Sequence, residues 1–244
     1  MASEQILIGD TPVTDGALSE EHTNGSSSKK KVLIVDDHPI LRQGLVQLIN
    51  QEGALTACGE AENAHSALEL IGQLKPDIAV IDISLKTMNG IELLKNLKIQ
   101  YPKLPVLVLS MHDESLFAER ALRAGAKGYI MKQEPPEKLV AAIHRVLNGE
   151  IYVSERMGVK MLHQFVDGRP DASGSSLERL SDRELEVFQL IGKGMGTRQI
   201  AETLHLSVKT IESYREHIKR KMHLSSGSEL VQHAVQWVKN ENSL

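Results

Sequence analysis

The sequence predicts an α/β protein in which five strand–helix units build a parallel sheet, followed by a small all-helical domain. Two observations carry this. Between residue 30 and about residue 150, short β-branched runs alternate with segments of helical periodicity. From 178 to 240 the strand rhythm stops, and four short helical patterns follow one another through tight polar turns.

In the first region, KVLIV precedes a helix near 38–51, and a weaker run near 55–60 precedes a helix near 63–73. DIAVI is followed by a helix near 90–100, LPVLVL by one near 114–124, and GYIM by one near 136–148. Strands that are apolar throughout, rather than alternating, belong to a parallel sheet covered on both faces. Ligands of such sheets sit beyond the C-terminal strand ends. The flanking segments differ in character. Residues 1–28 form an acidic tail ending in HTNGSSSKK, expected to be mostly disordered, with a short strand in QILI left open. Residues 151–177 start with an amphipathic pattern around Met157 to Phe165 and pass into VDGRPDASGSS, a linker composition. The C-terminal helices are expected at 182–193, 197–204, 208–222 and 227–239. Ser181 with Glu184 makes a capping box for the first, and Ser207 caps the third.

The composition excludes several classes. With 244 residues, 41% apolar and 25% charged, the chain is long enough for two cores. Its longest apolar runs are strand-sized, far short of the roughly 20 residues that span a bilayer. The N-terminus lacks a signal-peptide pattern, and one cysteine, Cys58, rules out an internal disulfide framework. The expected compartment is the cytoplasm, with no membrane partner. Net charge is −4, unevenly spread: residues 1–28 carry five acidic and no Lys or Arg side chains, residues 29–150 carry 15 of each sign, and residues 178–240 carry 10 basic against 8 acidic. The near-neutral total therefore does not exclude nucleic acid, since the C-terminal field is what DNA would meet.

Chemistry concentrates at strand ends. Asp36 and Asp37 follow the first strand, Asp82 the third, Ser110 the fourth and Lys132 the fifth. All lie at one sheet edge. Three converging carboxylates repel one another unless a divalent cation neutralises them, and hard oxygen ligands with open water positions suit Mg²⁺. Asp36, Asp37, Asp82 and the Ser84 backbone carbonyl are the expected metal ligands. Asp82, central on the edge, is the expected nucleophile towards a phosphoryl group. Lys132 and Ser110 would hold its oxygens. A phosphatase or hydrolase would call for a second acid or base two residues past the nucleophile, where Ser84 stands. No GxGxxG follows the first strand and no GxxxxGK[ST] occurs, so ATP is not expected to bind.

In the helical region, Ile211, Tyr214, Ile218 and Met222 line one side of the third helix. The opposite stripe, Lys209, Glu212, Ser213, Glu216 and Arg220, is the one expected to enter the major groove of double-stranded DNA. Lys209 and Arg220 would meet phosphates or purine edges. Glu212 and Glu216 either accept from cytosine or pair with those two cations. Ser213 would read a base or leave room for a thymine methyl. Arg215, Lys219 and Lys221 flank the stripe as phosphate contacts, and Thr197 and Thr210 would donate to phosphates from helix starts.

The segments VLIVDDHPILRQGL, IAVIDISLKTMNGIELL, VLVLSMHDE and ALRAGAKGYIMK resemble the flavodoxin-like receiver domain of response regulators. LSDRELEVFQLIGKG with IAETLHLSVKTIESYREHIKRK resembles the LuxR-type helix-turn-helix, so residues 30–240 together resemble the NarL/FixJ type. The resemblance implies a histidine kinase or small-molecule phosphodonor acting on Asp82. It also implies a switch pair, Ser110 and Tyr129, in which the ring turns inward as the hydroxyl moves to the phosphoryl group; a static surface ring is the other reading of Tyr129. It further implies a homodimer on DNA through the fourth helix, although Leu230, Val231, Ala234, Val235, Trp237 and Val238 suit core packing equally. Four positions depart from the pattern. Lys86 stands where a proline is usual, which bears on the mobility of LKTMNG. Gln133 follows Lys132 where a proline is usual, so any cis bond there would be costly. Glu212 and Tyr214 replace a frequent lysine and histidine, which bears on operator preference. An alternative function is a phosphorylation-independent interaction module joined to a DNA-binding domain.

Overall fold

The computed structural model describes residues 28–85, 90–166 and 176–241. The expected acidic tail, the QILI strand, Lys86 and most of the Gly/Pro/Ser-rich linker lie outside them. The first region runs β1 (Lys30–Val35), α1 (Pro39–Gln51), β2 (Leu55–Ala61), α2 (Ala64–Leu74), β3 (Ile78–Ile81), α3 (Gly90–Gln100), β4 (Val106–Ser110), α4 (Glu114–Ala124), β5 (Gly128–Met131) and α5 (Pro136–Leu147). All strand pairings are parallel, in the order β2-β1-β3-β4-β5. The order reverses between β1 and β3, which opens a crevice at their C-terminal ends.

Alternation along each strand divides the core into two layers. Val32, Ile34, Ile78, Val80, Leu107, Leu109 and Ile130 face α1 and α5. Leu33, Val35, Ala79, Ile81, Val106, Val108 and Tyr129 face the other side, against α2, α3 and α4. Both layers being dry explains why these strands read as unbroken apolar runs. The free edge of β5 is covered from the chain that follows: the Tyr129 N–H donates to the Tyr152 carbonyl at 2.8 Å, and the Tyr152 N–H to Lys127 at 3.0 Å. Cys58, on β2, is half-buried, and burial pushes its thiol pKa up.

Part of the expected linker is helical. α6 (Glu155–Val166) realises the amphipathic pattern around Met157, whose side chain is buried while Val159 and Leu162 face solvent. After a single 3-10 turn at Ser176–Arg179 come α7 (Asp182–Gly192), α8 (Thr197–Thr203), α9 (Val208–Met222) and α10 (Gly227–Glu241). The capping box is formed: Ser181 Oγ accepts from the Glu184 N–H, and the Glu184 carboxylate accepts from the Ser181 N–H. Ser207 caps α9 through the Thr210 N–H at 3.0 Å. α10 lies so close to α7 that a side chain at Gly192 would run into the Ala234 carbonyl. Leu230 and Ala234 are fully buried there and Trp237 tilts against Phe188, whereas Val231 is 39% exposed. Among the described residues, no helix is long and apolar enough to cross a membrane.

Candidate functional site

The five predicted residues converge. β1 delivers Asp36 and Asp37, and β3 delivers Asp82, to the crevice where the strand order reverses; all three side chains are nearly inaccessible to solvent. Lys132, from the end of β5, reaches across the edge. Its Nζ lies 2.7 Å from Asp36 Oδ2 and 2.8 Å from Asp82 Oδ2. Ser110, at the end of β4 between those strands, is fully buried, with its Oγ accepting from the His112 N–H at 3.1 Å. Asp82 Oδ1 accepts from the Ser84 N–H at 3.1 Å. The backbone is tight beneath it: a Cβ on Gly90 would stand 2.7 Å from Ile83 Cα and collide with the Asp82 carbonyl. α3 can begin there only with glycine.

The electrostatics follow from burial. Removal from water raises the Asp82 pKa; the Lys132 ammonium opposes this and the Asp36 carboxylate adds to it. Burial also acts against the charged form of Lys132, but the Asp82 and Asp36 carboxylates outweigh it and raise its pKa. One cation thus stands among three carboxylates. Asp36 Oδ2 meets Lys132 and Asp37 Oδ1 lies 2.8 Å from His38 Nδ1, and carboxylate oxygens of Asp36, Asp37 and Asp82 lie within 4.8 Å of one another and of a His38 ring nitrogen. Three carboxylates converging at one point, with a single ammonium among them, suit a divalent cation with oxygen preference. His38, on the rim, brings a ring nitrogen to the same point, and the strand-end pattern did not single it out.

Tyr129 is not a surface ring. It is fully buried, and its hydroxyl donates to the His112 carbonyl at 2.9 Å. Burial raises its phenol pKa.

Sequence patterns missed the residues that join this site to the C-terminal helices. His112, two positions past Ser110, is buried and stacks on Phe117 at 4.6 Å. Its Nδ1 pairs with Gln189 Oε1 at 2.6 Å, and its Nε2 approaches Ser84 Oγ at 2.8 Å and Glu186 Oε1 at 3.3 Å. Glu186 and Gln189 come from α7 and are buried, Glu186 completely. Arg183 grips the other Glu186 oxygen at 2.6 Å. Burial disfavours the Glu186 charge, yet His112 and Arg183 outweigh it and hold its pKa below the usual range. Arg120 of α4 adds bonds to the Leu177 and Leu180 carbonyls and to Asp182, which also faces Lys95. The relevant signal was the spacing of Asp182, Arg183, Glu186 and Gln189 on one helix, which reads as an ordinary solvated face.

On α9 the outer stripe of Lys209, Glu212, Ser213, Glu216 and Arg220 is exposed. Three contacts accompany it. Glu216 pairs with Lys219 at 2.8 Å rather than with Arg220. Lys221 pairs with Glu184 of α7. The Ser213 hydroxyl donates to the Lys209 carbonyl at 3.1 Å. Arg215, Thr197 and Thr210 are half-buried, and the Thr210 hydroxyl pairs with Ser207 Oγ at 2.7 Å.

Comparison with known proteins agrees with this geometry. Residues 32–144 match the response regulator receiver domain, and residues 178–234 match the luxR family of bacterial regulatory proteins. The oxygen regulatory protein NreC of Staphylococcus carnosus is 34% identical over 209 residues, covering 84% of this chain and 96% of that protein. A crystal structure of a LuxR-family two-component response regulator from Aurantimonas is 34% identical over 57% of this chain and 99% of its own, with a TM-score of 0.53. RcsB from Salmonella enterica serovar Typhimurium, bound to the promoter rprA in the presence of the phosphomimetic BeF3-, is 26% identical over 85% of this chain and 98% of its own, with a TM-score of 0.56. The chain belongs to the response regulators of NarL/FixJ type, which join a receiver domain to a LuxR-type DNA-binding domain.

Proposed function

We propose that Asp82 is the phosphoacceptor of this phosphorylation-dependent transcription regulator and that its phosphorylation tightens the grip of α9 on operator DNA. The observation that carries the reading is Lys132 Nζ bridging Asp36 and Asp82 within 2.8 Å, with the Asp37 carboxylate gathered at the same point. The protein is a DNA-binding regulator rather than an enzyme acting on a separate substrate. Its chemistry is on itself: an Asp82 oxygen forms a bond to phosphorus as the bond to the donor atom of a histidine kinase or small phosphodonor breaks, the electron pair leaving with the donor. Asp36, Asp37, Asp82 and the Ser84 carbonyl would hold Mg²⁺, which supplies positive charge opposite the phosphoryl oxygens. Lys132 balances one oxygen and the Ser110 hydroxyl donates to another. Moving there takes that hydroxyl from the His112 N–H, which links the pocket to Tyr129 through the same residue.

On the DNA side, Lys209 and Arg220 contact phosphates or purine edges, with Arg215 and Lys219 beside them. Glu212 and Ser213 face bases, while Glu216 steadies Lys219. Thr197 and Thr210 stand at helix starts near the backbone, and Lys221, which also pairs with Glu184, flanks the stripe as a phosphate contact. Residues 29–150 act as the receiver, 151–177 as the linker and 178–240 as the DNA-binding unit, working in the cytoplasm as a homodimer on DNA with recognition helices about one turn, ~34 Å, apart. A coupling of about 1–3 kcal/mol between phosphorylation and DNA binding suffices for a moderate switch. Footprinting of wild type and Asp82→Asn with a small phosphodonor tests the reading. Protection that strengthens with donor in wild type alone is expected; equal strengthening in both contradicts it.

A further inference from the structure

We propose that the acidic N-terminal segment of this chain is an intramolecular ligand of the receiver half: Ile6, Leu7 and Ile8 enter a lysine-rimmed groove at the N-terminal ends of the strands, and Glu4 and Asp10, which bracket them, meet the lysines. The groove is a cavity of about 390 Å³. Lys30 begins β1, Val106 begins β4 and Lys127 immediately precedes β5, so it lies at the sheet edge opposite to Asp82. Half-buried Tyr101, Leu104 and Leu147 give it apolar walls. Its rim is cationic. Among the described residues, four exposed lysines, Lys30, Lys98, Lys103 and Lys127, line it against one carboxylate, Asp77. Lys30 takes Asp77 at 3.2 Å, and Lys98 donates to the Arg123 carbonyl at 3.2 Å. A recess with apolar walls and a cationic rim fits a peptide that carries apolar side chains between carboxylates.

The chain supplies such a peptide beside the recess. The receiver match begins at residue 32, so the N-terminal segment lies outside it. Residues 1–28 carry Glu4, Asp10, Asp15, Glu20 and Glu21 and no Lys or Arg. Their longest apolar run is Ile6 to Ile8, with a carboxylate two residues away on each side. The segment joins the described residues at Ser28, two positions from Lys30 on the rim. The chain from Asp10 to Lys30 extends to at most roughly 65 Å, enough to turn back across the groove. A tether of this kind sets a local concentration on the order of millimolar, so shallow contacts suffice. The outer stripe of α9 is the other cationic face, but Glu212 and Glu216 stand within it and a helix surface offers no recess for the apolar run.

Carbodiimide joins a lysine to a carboxylate only where the two meet, and the test applies it to an equal mixture of unlabelled and ¹⁵N-labelled full chain, read by peptide mass spectrometry. Links from Glu4 or Asp10 to Lys98, Lys103 or Lys127, within chains of one isotope, are expected. Leu7→Ser leaves every described residue unaltered and is expected to lower the yield of those links about fivefold, because the apolar contact is lost. A yield within about twofold of wild type shows a tether brushing past the lysines without docking, and overturns the proposal. Links formed chiefly with Lys209 or Lys219 of α9, links formed chiefly between chains of different isotope, or no links to the groove also overturn it.

Discussion

The pocket at the strand ends and the outer face of α9 place charged groups under opposite regimes. Lys132, with a side chain only 4% exposed, stands between two carboxylates at 2.7 and 2.8 Å. Cations on the α9 stripe lie in water, and the Lys219–Glu216 pair beside them leaves Glu216 69% exposed. Buried charges hold a fixed geometry because every misplacement leaves an uncompensated ion, whereas exposed pairs contribute little and rearrange readily. The first arrangement suits chemistry on one phosphoryl group. The second suits a polyanion whose own counterions are displaced on binding.

The largest test of this contrast is in the pocket. Asp82→Asn is expected to bring phosphoryl uptake from a radiolabelled donor down to background, since the amide is no nucleophile towards phosphorus. Next, Lys132→Met leaves the carboxylates without their shared cation and is expected to cost about 3–5 kcal/mol in chelator. Melts with and without Mg²⁺ check this, with a larger Mg²⁺-induced rise in Tm in the variant than in wild type. Gly90→Ala forces the start of α3 away from the Asp82 carbonyl and is expected to cost about 1–3 kcal/mol by denaturant titration. On α9, Arg220→Ala or Lys209→Ala is expected to weaken DNA binding and lower the salt slope of log K by about one each. An unchanged slope would remove that residue from the phosphate contacts.

The smallest expected effect concerns pH. Burial disfavours the charge on Glu184, but Lys221 and the Ser181 N–H outweigh it and lower its pKa in the folded state. A carboxylate with a folded pKa below its unfolded value contributes stability above the unfolded pKa and loses it as pH falls through the folded one. Lys221→Ala is therefore expected to flatten the decline in Tm between about pH 5 and pH 3.

The same contrast governs what the sequence disclosed. Strands dry on both faces wrote their positions as unbroken apolar runs, and the residue after each strand had to fall on one edge, so Asp36, Asp82, Ser110 and Lys132 could be placed together from the sequence alone. Caps at Ser181 and Ser207 were equally legible because they are local. What escaped was the burial of Arg183, Glu186 and Gln189 against His112. A polar helix face looks solvated until a second surface of matching polarity is set against it, and that match depends on tertiary placement. The partner of Glu216 escaped for a related reason: Lys219 and Arg220 are both within reach on a helix, and only the side-chain geometry selects between them.

The most direct measurement of the central claim pairs two quantities on one sample: phosphoryl occupancy by peptide mass spectrometry and DNA affinity, during titration with a small phosphodonor and Mg²⁺. The account predicts a single modified peptide containing Asp82 and an affinity that rises in proportion to its occupancy. Modification centred elsewhere, or full occupancy of Asp82 with unchanged affinity, would contradict it.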